Sequence, residues 1–167
     1  LAVSPASIDV RSSAVNNDPL LAKVTASANW AATAATAGFY GNNYLYATTS
    51  PISDGAEFSF YLNNAGSRKV EVWYTAGANR SATAPIVSFD AAGTKLGTAS
   101  VNMQAGGKAW TAAGTYNFTK GWNKVVVSRW TTEGFVVIAD AVRVTGGGQQ
   151  QPAPSDPTVA DLLALTQ

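Results

Sequence analysis

The sequence predicts an all-β chain, an antiparallel jelly-roll-like β-sandwich with a flexible C-terminal linker. Three observations carry this. Short segments alternate apolar and polar residues with the two-residue period of a half-buried strand, and Gly-containing turns separate them. Upstream of the linker no helical periodicity intervenes.

Between Leu1 and Leu21 only Ile8 and Val10 alternate, before Asn16-Asn17-Asp18-Pro19 forms a turn. Val24 to Ser53 carries no charge, but Asn29, Gly38, Gly41, Asn42 and Asn43 interrupt it, so no membrane-spanning helix is expected there. In Ala56–Leu62, Phe58, Phe60 and Leu62 share one face, and Glu57, Ser59 and Tyr61 the other. Val70, Val72 and Tyr74 oppose Lys69, Glu71, Trp73 and Thr75 in the same way. Pro85–Ala91 and Thr94–Val101 flank Ala92-Gly93, a hairpin turn. Trp110–Phe118, Asn123–Trp130 and Phe135–Val144 complete the set, with turns at Lys120-Gly121 and Thr131–Gly134. The runs Val125-Val126-Val127 and Val136-Val137-Ile138 are expected in central strands covered on both faces.

The domain reading is one β-sandwich module over 1–145, a Gly/Gln/Pro linker over 146–157, and a short helical segment or disordered tail over 158–167. In the last part, Ser155-Asp156-Pro157 offers an N-cap and a first-turn proline ahead of Val159, Leu162, Leu163 and Leu165.

Eleven Lys and Arg against ten Asp and Glu leave a net charge of +1 and no basic stripe for a phosphate backbone, so no nucleic-acid partner is expected. The chain contains no His and no Cys. That excludes His-dependent triads, thiol chemistry, His- or Cys-based metal sites and disulfides together. Glu57 and Glu71 fall on consecutive strands and are expected to face one another as surface residues, without a cleft for paired-carboxylate hydrolysis. No G-x-S-x-G elbow is present. The chain therefore reads as non-catalytic. Its five Trp, six Tyr and six Phe lean instead towards binding.

One ordered series carries a family resemblance: Trp30; Gly38-Phe39-Tyr40-Gly41-Asn42-Asn43-Tyr44; Ala56-Glu57-Phe58-Ser59-Phe60; Ala65-Gly66 leading to Val70-Glu71-Val72-Trp73; Asn79-Arg80-Ser81 before Pro85. It closes with Trp110, Gly114-Thr115-Tyr116-Asn117-Phe118 and Gly134–Arg143. Together these resemble the golvesin C-terminal-like domain, also seen as the carbohydrate-binding-like domain of bacterial xanthan lyases. Arg68 and Ala113 depart from it, standing where Tyr and Leu are usual. The resemblance implies a jelly-roll-like sandwich that accompanies secreted bacterial enzymes.

Sugar recognition needs flat aromatic faces for the C–H surface of a pyranose and planar polar groups for its hydroxyls, and loops at a sandwich end usually supply both. Three loops qualify: Phe39–Tyr44, Gly77–Ser81 and Gly106–Trp110. From them come the candidate carbohydrate-binding residues Tyr40, Asn43, Tyr44, Asn79, Arg80 and Trp110, with Trp73 and Trp130 added as exposed or core rings. Tyr40 and Tyr44 also read as packing over the sandwich end, and Trp30 as core.

Asp140 lies inside an apolar strand and needs a partner. The readings are a structural pair with Arg80, hydrogen bonds to loop amides, or a structural calcium ligand. No Asp-rich calcium loop appears, so no cofactor is expected. The expected partners are a polysaccharide or peptidoglycan and an attached catalytic domain. The expected location is extracellular and bacterial, with any signal peptide removed ahead of Leu1. A structural or protein-interaction module without a sugar ligand is the alternative.

Overall fold

The computed structural model describes residues 3–4, 7–146 and 151–152. The helical segment expected over 158–167 and most of the 146–157 linker lie outside them. The described chain forms strands and one 3-10 turn, Ala14–Asn16. In order, the strands are β1 (Val3–Ser4), β2 (Ser7–Arg11), β3 (Ala22–Thr25), β4 (Ala31–Thr33), β5 (Tyr44–Thr48), β6 (Ala56–Leu62) and β7 (Gly66–Trp73). They continue as β8 (Ala84–Phe89), β9 (Lys95–Val101), β10 (Thr111–Phe118), β11 (Gly121–Val127), β12 (Val136–Ala139), β13 (Ala141–Gly146) and β14 (Gln151–Pro152). Among the described residues no helix is long and apolar enough to cross a membrane.

Two sheets make the sandwich, one ordered β3-β6-β11-β8-β9 and the other β10-β7-β13-β2. A small sheet, β12-β5-β4, extends it, and β1 pairs with β14. Every strand pairing is antiparallel; one isolated parallel bridge joins Arg80 to Val136. Alternation sets which face is buried. Phe58, Phe60, Ile86, Val125 and Val127 of the first sheet join Val10, Val70, Val72, Val142 and Val144 of the second in one core. The Phe60 and Phe118 rings meet edge to face across it at 5.1 Å. Truncating a buried Phe here to Ala costs about 3–5 kcal/mol.

Several expectations hold. The β6 pattern is strictly alternating, and the β8–β9 hairpin closes through Gly93 at φ +84°, with Asp90 Oδ1 accepting from the amides of Ala92 and Thr94. Others are corrected. Although consecutive, β6 and β7 belong to different sheets, so Glu57 and Glu71 do not face one another; each pairs with a lysine on its own surface, Lys124 and Lys69. The strand expected over Phe135–Val144 breaks at Asp140, where the chain leaves the small sheet for the four-stranded one. There the Asp140 backbone carbonyl accepts from Ser12 N and its carboxylate from Tyr40 N, so neither group serves a sheet ladder. Consequently β12, with Val136-Val137-Ile138, is an edge strand rather than a central one.

Candidate functional site

The loop at residues 34–43, between β4 and β5, divides the candidate residues into two groups. At Gly38 the backbone adopts φ +99°, a left-handed conformation that suits glycine. This turn points the Gly38 carbonyl at the Trp73 indole, whose Nε1–H donates to it at 2.8 Å. Beyond the turn, Tyr40 crosses the four-stranded sheet and donates its hydroxyl to Asp9 Oδ2 at 2.6 Å.

Trp110 reaches the same place from the other side. Gly107, at φ +81°, lies so close to the Ala76 backbone that a Cβ would stand 2.9 Å from Ala76 N. Lys108 N then donates to the Tyr74 carbonyl. Tyr40, Trp73 and Trp110 thus form a triangle with centroids 4.9 to 5.4 Å apart. Their planes cross at 54°, 64° and 72°, so the rings pack on one another's edges and present no shared flat platform.

Charges frame this triangle. The Arg143 guanidinium lies 4.3 Å from the Trp110 ring centre and donates to both Asp9 oxygens, at 2.7 and 2.9 Å. Arg11 sits 5.0 Å from the Tyr40 ring centre. Burial pushes the Asp9 carboxyl up, but hydrogen bonds from Arg143 and Tyr40 outweigh it and hold the group below the usual carboxylate range. The Asp9 hydrogen bond, beyond burial of the Arg143 guanidinium, holds the latter charged, and burial with the Asp9 bond raises the Tyr40 phenol.

The second group surrounds an open cavity of about 220 Å³. Tyr44 and Tyr46, two residues apart on β5 and therefore on one face, line it together with Thr33, Thr36, Asn79 and Arg80. Tyr44 is buried, its hydroxyl accepting from Thr36 N at 3.2 Å. Tyr46 is 37% exposed and Asn79 is exposed too. Arg80, only 8% exposed, does not pair with Asp140 as one reading expected. Its guanidinium donates to Thr75 O, Asn79 Oδ1, Thr36 Oγ1 and Thr75 Oγ1. Geometry explains this: Arg80 leaves the β7–β8 loop towards the small sheet, whereas Asp140 turns to the Tyr40 amide.

Asp140 is 1% exposed, and its Oδ1 has no hydrogen-bond partner among the described residues. Burial raises its carboxyl to about 7 despite the Tyr40 N–H. Among the described residues no three Asp or Glu side chains converge as a cation site.

The remaining candidates stand apart. Half-buried Asn43 accepts from Ser12 Oγ through its backbone carbonyl at 3.1 Å, which ties down the end of the loop. Trp130 is 56% exposed and Ile52 42%, on two loops that the Ser50 N–H to Arg129 O bond ties together. Trp30 is core, its Nε1–H donating to Asp54 O. Sequence reading missed Tyr46, Thr33 and Thr36. The Tyr44-x-Tyr46 spacing was the available signal, but Tyr44–Thr48 carries no apolar–polar alternation that marks it as a strand.

A model of the Golvesin C-terminal domain matches residues 14–146. Among solved structures, a Paenibacillus xanthan lyase superposes with a TM-score of 0.62 at 24% identity over 84% of this chain, and the chain spans 13% of that lyase. CBM35 from Cellvibrio japonicus Abf62 gives a TM-score of 0.56 at 17% identity, covering 81% of this chain and 99% of its own length. A Xyl-CBM35 solved with a glucuronic-acid-containing disaccharide gives 0.54 at 21% identity, over 81% and 99%. At these identities the likeness is one of fold, that of carbohydrate-binding-module β-sandwiches. A search of curated proteins returned no match.

Proposed function

The chain belongs to the Golvesin C-terminal domain family, and on that premise we propose that it is a non-catalytic carbohydrate-binding module. In this reading it holds an attached enzyme on an extracellular or cell-wall polysaccharide. The observation that carries the reading is the open cavity, where an exposed ring (Tyr46), an exposed amide (Asn79) and threonine hydroxyls converge. A pyranose needs this combination, a π-face for its C–H side and planar or hydroxylic groups for its O–H groups. The volume of about 220 Å³ lies below the roughly 300–1,000 Å³ of drug-sized pockets and suits a single sugar ring.

The mechanism is proximity. A weak single-site contact, about 10–100 μM because a shallow site leaves little surplus after ordering costs, raises the local concentration of a tethered enzyme on a polymer. The small share of the xanthan lyase that this fold occupies supports an accessory role beside a larger catalytic protein. Calorimetry and insoluble-glycan pull-down across xanthan, peptidoglycan, chitin and β-glucans test the reading. Binding to at least one supports it, and a folded domain that binds none overturns it.

A second reading rests on Trp130 and Ile52. An indole 56% exposed, on a loop tied to one that carries a second exposed apolar side chain, favours contact with a neighbouring protein domain. It concerns a different surface, so both functions are compatible in one module.

A further inference from the structure

We propose that the saccharide taken up by the Tyr46–Asn79–Arg80 cavity is acidic, carrying a carboxylate that compensates the Arg80 charge. This rests on the sugar-binding reading above and names the ligand class for it. A buried guanidinium is best met by a carboxylate, which neutralises its charge as well as filling its donors. Two other arginines among the described residues have such a partner. Arg129 meets Asp54 at 2.9 Å and Arg143 meets Asp9 at 2.7 Å.

Arg80 is different. All four of its hydrogen bonds go to neutral oxygens, and no Asp or Glu lines the cavity it borders. Arg68 is also buried against neutral carbonyls, but it does not line this cavity. Of the five guanidinium N–H groups of Arg80, one on Nη1 is left over. The Asn79 side-chain NH₂, held in place because Asn79 Oδ1 accepts from Arg80, has no acceptor among the described residues. The two side chains that carry these donors, Arg80 and Asn79, both line a cavity without a counter-charge, and a carboxylate would meet both needs.

The neighbouring phenol responds to the same field. Burial pushes the Tyr44 hydroxyl up, yet hydrogen bonds from Thr36 and Thr75 and the Arg80 charge bring it below its ordinary value. Because Arg80 ties Thr36, Thr75 and Asn79 together, its replacement risks the fold. The test therefore varies the ligand.

Oligogalacturonate, oligomannuronate and hyaluronan fragments are titrated into the intact chain, each beside its carboxyl-reduced neutral counterpart, with amide chemical shifts recorded. The expected result is that one acidic fragment binds about tenfold or more tightly than its reduced form, as one charge-assisted hydrogen bond implies. Its shifts should fall on residues 33–36, 46 and 79, and its affinity should drop with added salt. Equal binding of an acidic fragment and its reduced form overturns the acidic preference while leaving the sugar site standing. Binding of neutral glycans alone does the same. Failure of every acidic and neutral saccharide removes the sugar reading, and this inference with it.

Discussion

The backbone N–H of Tyr40 donates a 3.0 Å hydrogen bond to the carboxylate of Asp140, one hundred positions later in the chain. That contact joins the aromatic loop to the point where the chain changes sheets. It also places a carboxyl in a buried setting where it titrates near neutrality.

Stability should therefore depend on pH in an unusual direction. The Asp140 carboxyl is raised from 3.8 to about 7, so the folded state holds its proton where the unfolded chain has lost it. Its contribution is complete below about pH 4 and is lost as pH rises towards 7, at up to about 1.4 kcal/mol per pH unit. With no His in the chain, no other side chain of ordinary pKa titrates in that window. Thermal melts from pH 5 to 8 should fall for the wild type and stay level for Asp140→Asn, which keeps an acceptor for Tyr40 N. Superimposable profiles would contradict the assignment.

Asp9 acts as the hub of the charged frame, accepting from Tyr40 and twice from Arg143. A double-mutant cycle of Asp9→Asn and Arg143→Gln should give a coupling of about 1 kcal/mol in urea unfolding. That is above the median for exposed pairs, because the contact is bidentate and partly buried. Near-UV circular dichroism of Asp9→Asn should also change, as the Tyr40–Trp110 packing loosens. An additive cycle with an unchanged spectrum would assign the triangle's geometry to packing alone.

Trp130 separates the two functional readings. Its 56% exposure implies that Trp130→Ser changes stability by no more than about 0.5 kcal/mol. Oligosaccharide affinity should be unchanged, while association with an attached catalytic domain, measured by limited proteolysis across the junction, should weaken. A loss of sugar binding in this variant would move the site to the Trp130 surface.

How far the fold was legible follows from where period-two alternation was strong. β6, β7 and β8 alternate because one face of each is buried, and their faces were read from that period. β4 and β5 were not read, since Ala31–Thr33 is short and built of small residues and Tyr44–Thr48 is irregularly buried on a three-stranded extension. Which strands share a sheet has no local signal at all, so the separation of Glu57 from Glu71 emerged only in three dimensions. The same holds at the site. Tyr40, Trp73 and Trp110 were flagged as rings, but their mutual edge-on packing depends on a turn at Gly38 and a loop at Gly107 from distant parts of the chain. Asn79 and Arg80 were named from one loop and do line one cavity, but of the readings for Asp140 the structure shows the loop amide and not Arg80.

Tyr46 is the more exposed of the two rings that line the cavity, and it is not one of the buried core residues. The most direct measurement is calorimetric titration of a bound oligosaccharide into the wild type and Tyr46→Ala, with the melting temperature of each recorded. The account predicts about a tenfold loss of affinity, the worth of one ring face on a sugar, with the melting temperature nearly unchanged. Equal affinity in the two proteins would place sugar recognition elsewhere on the sandwich and contradict the cavity as its seat.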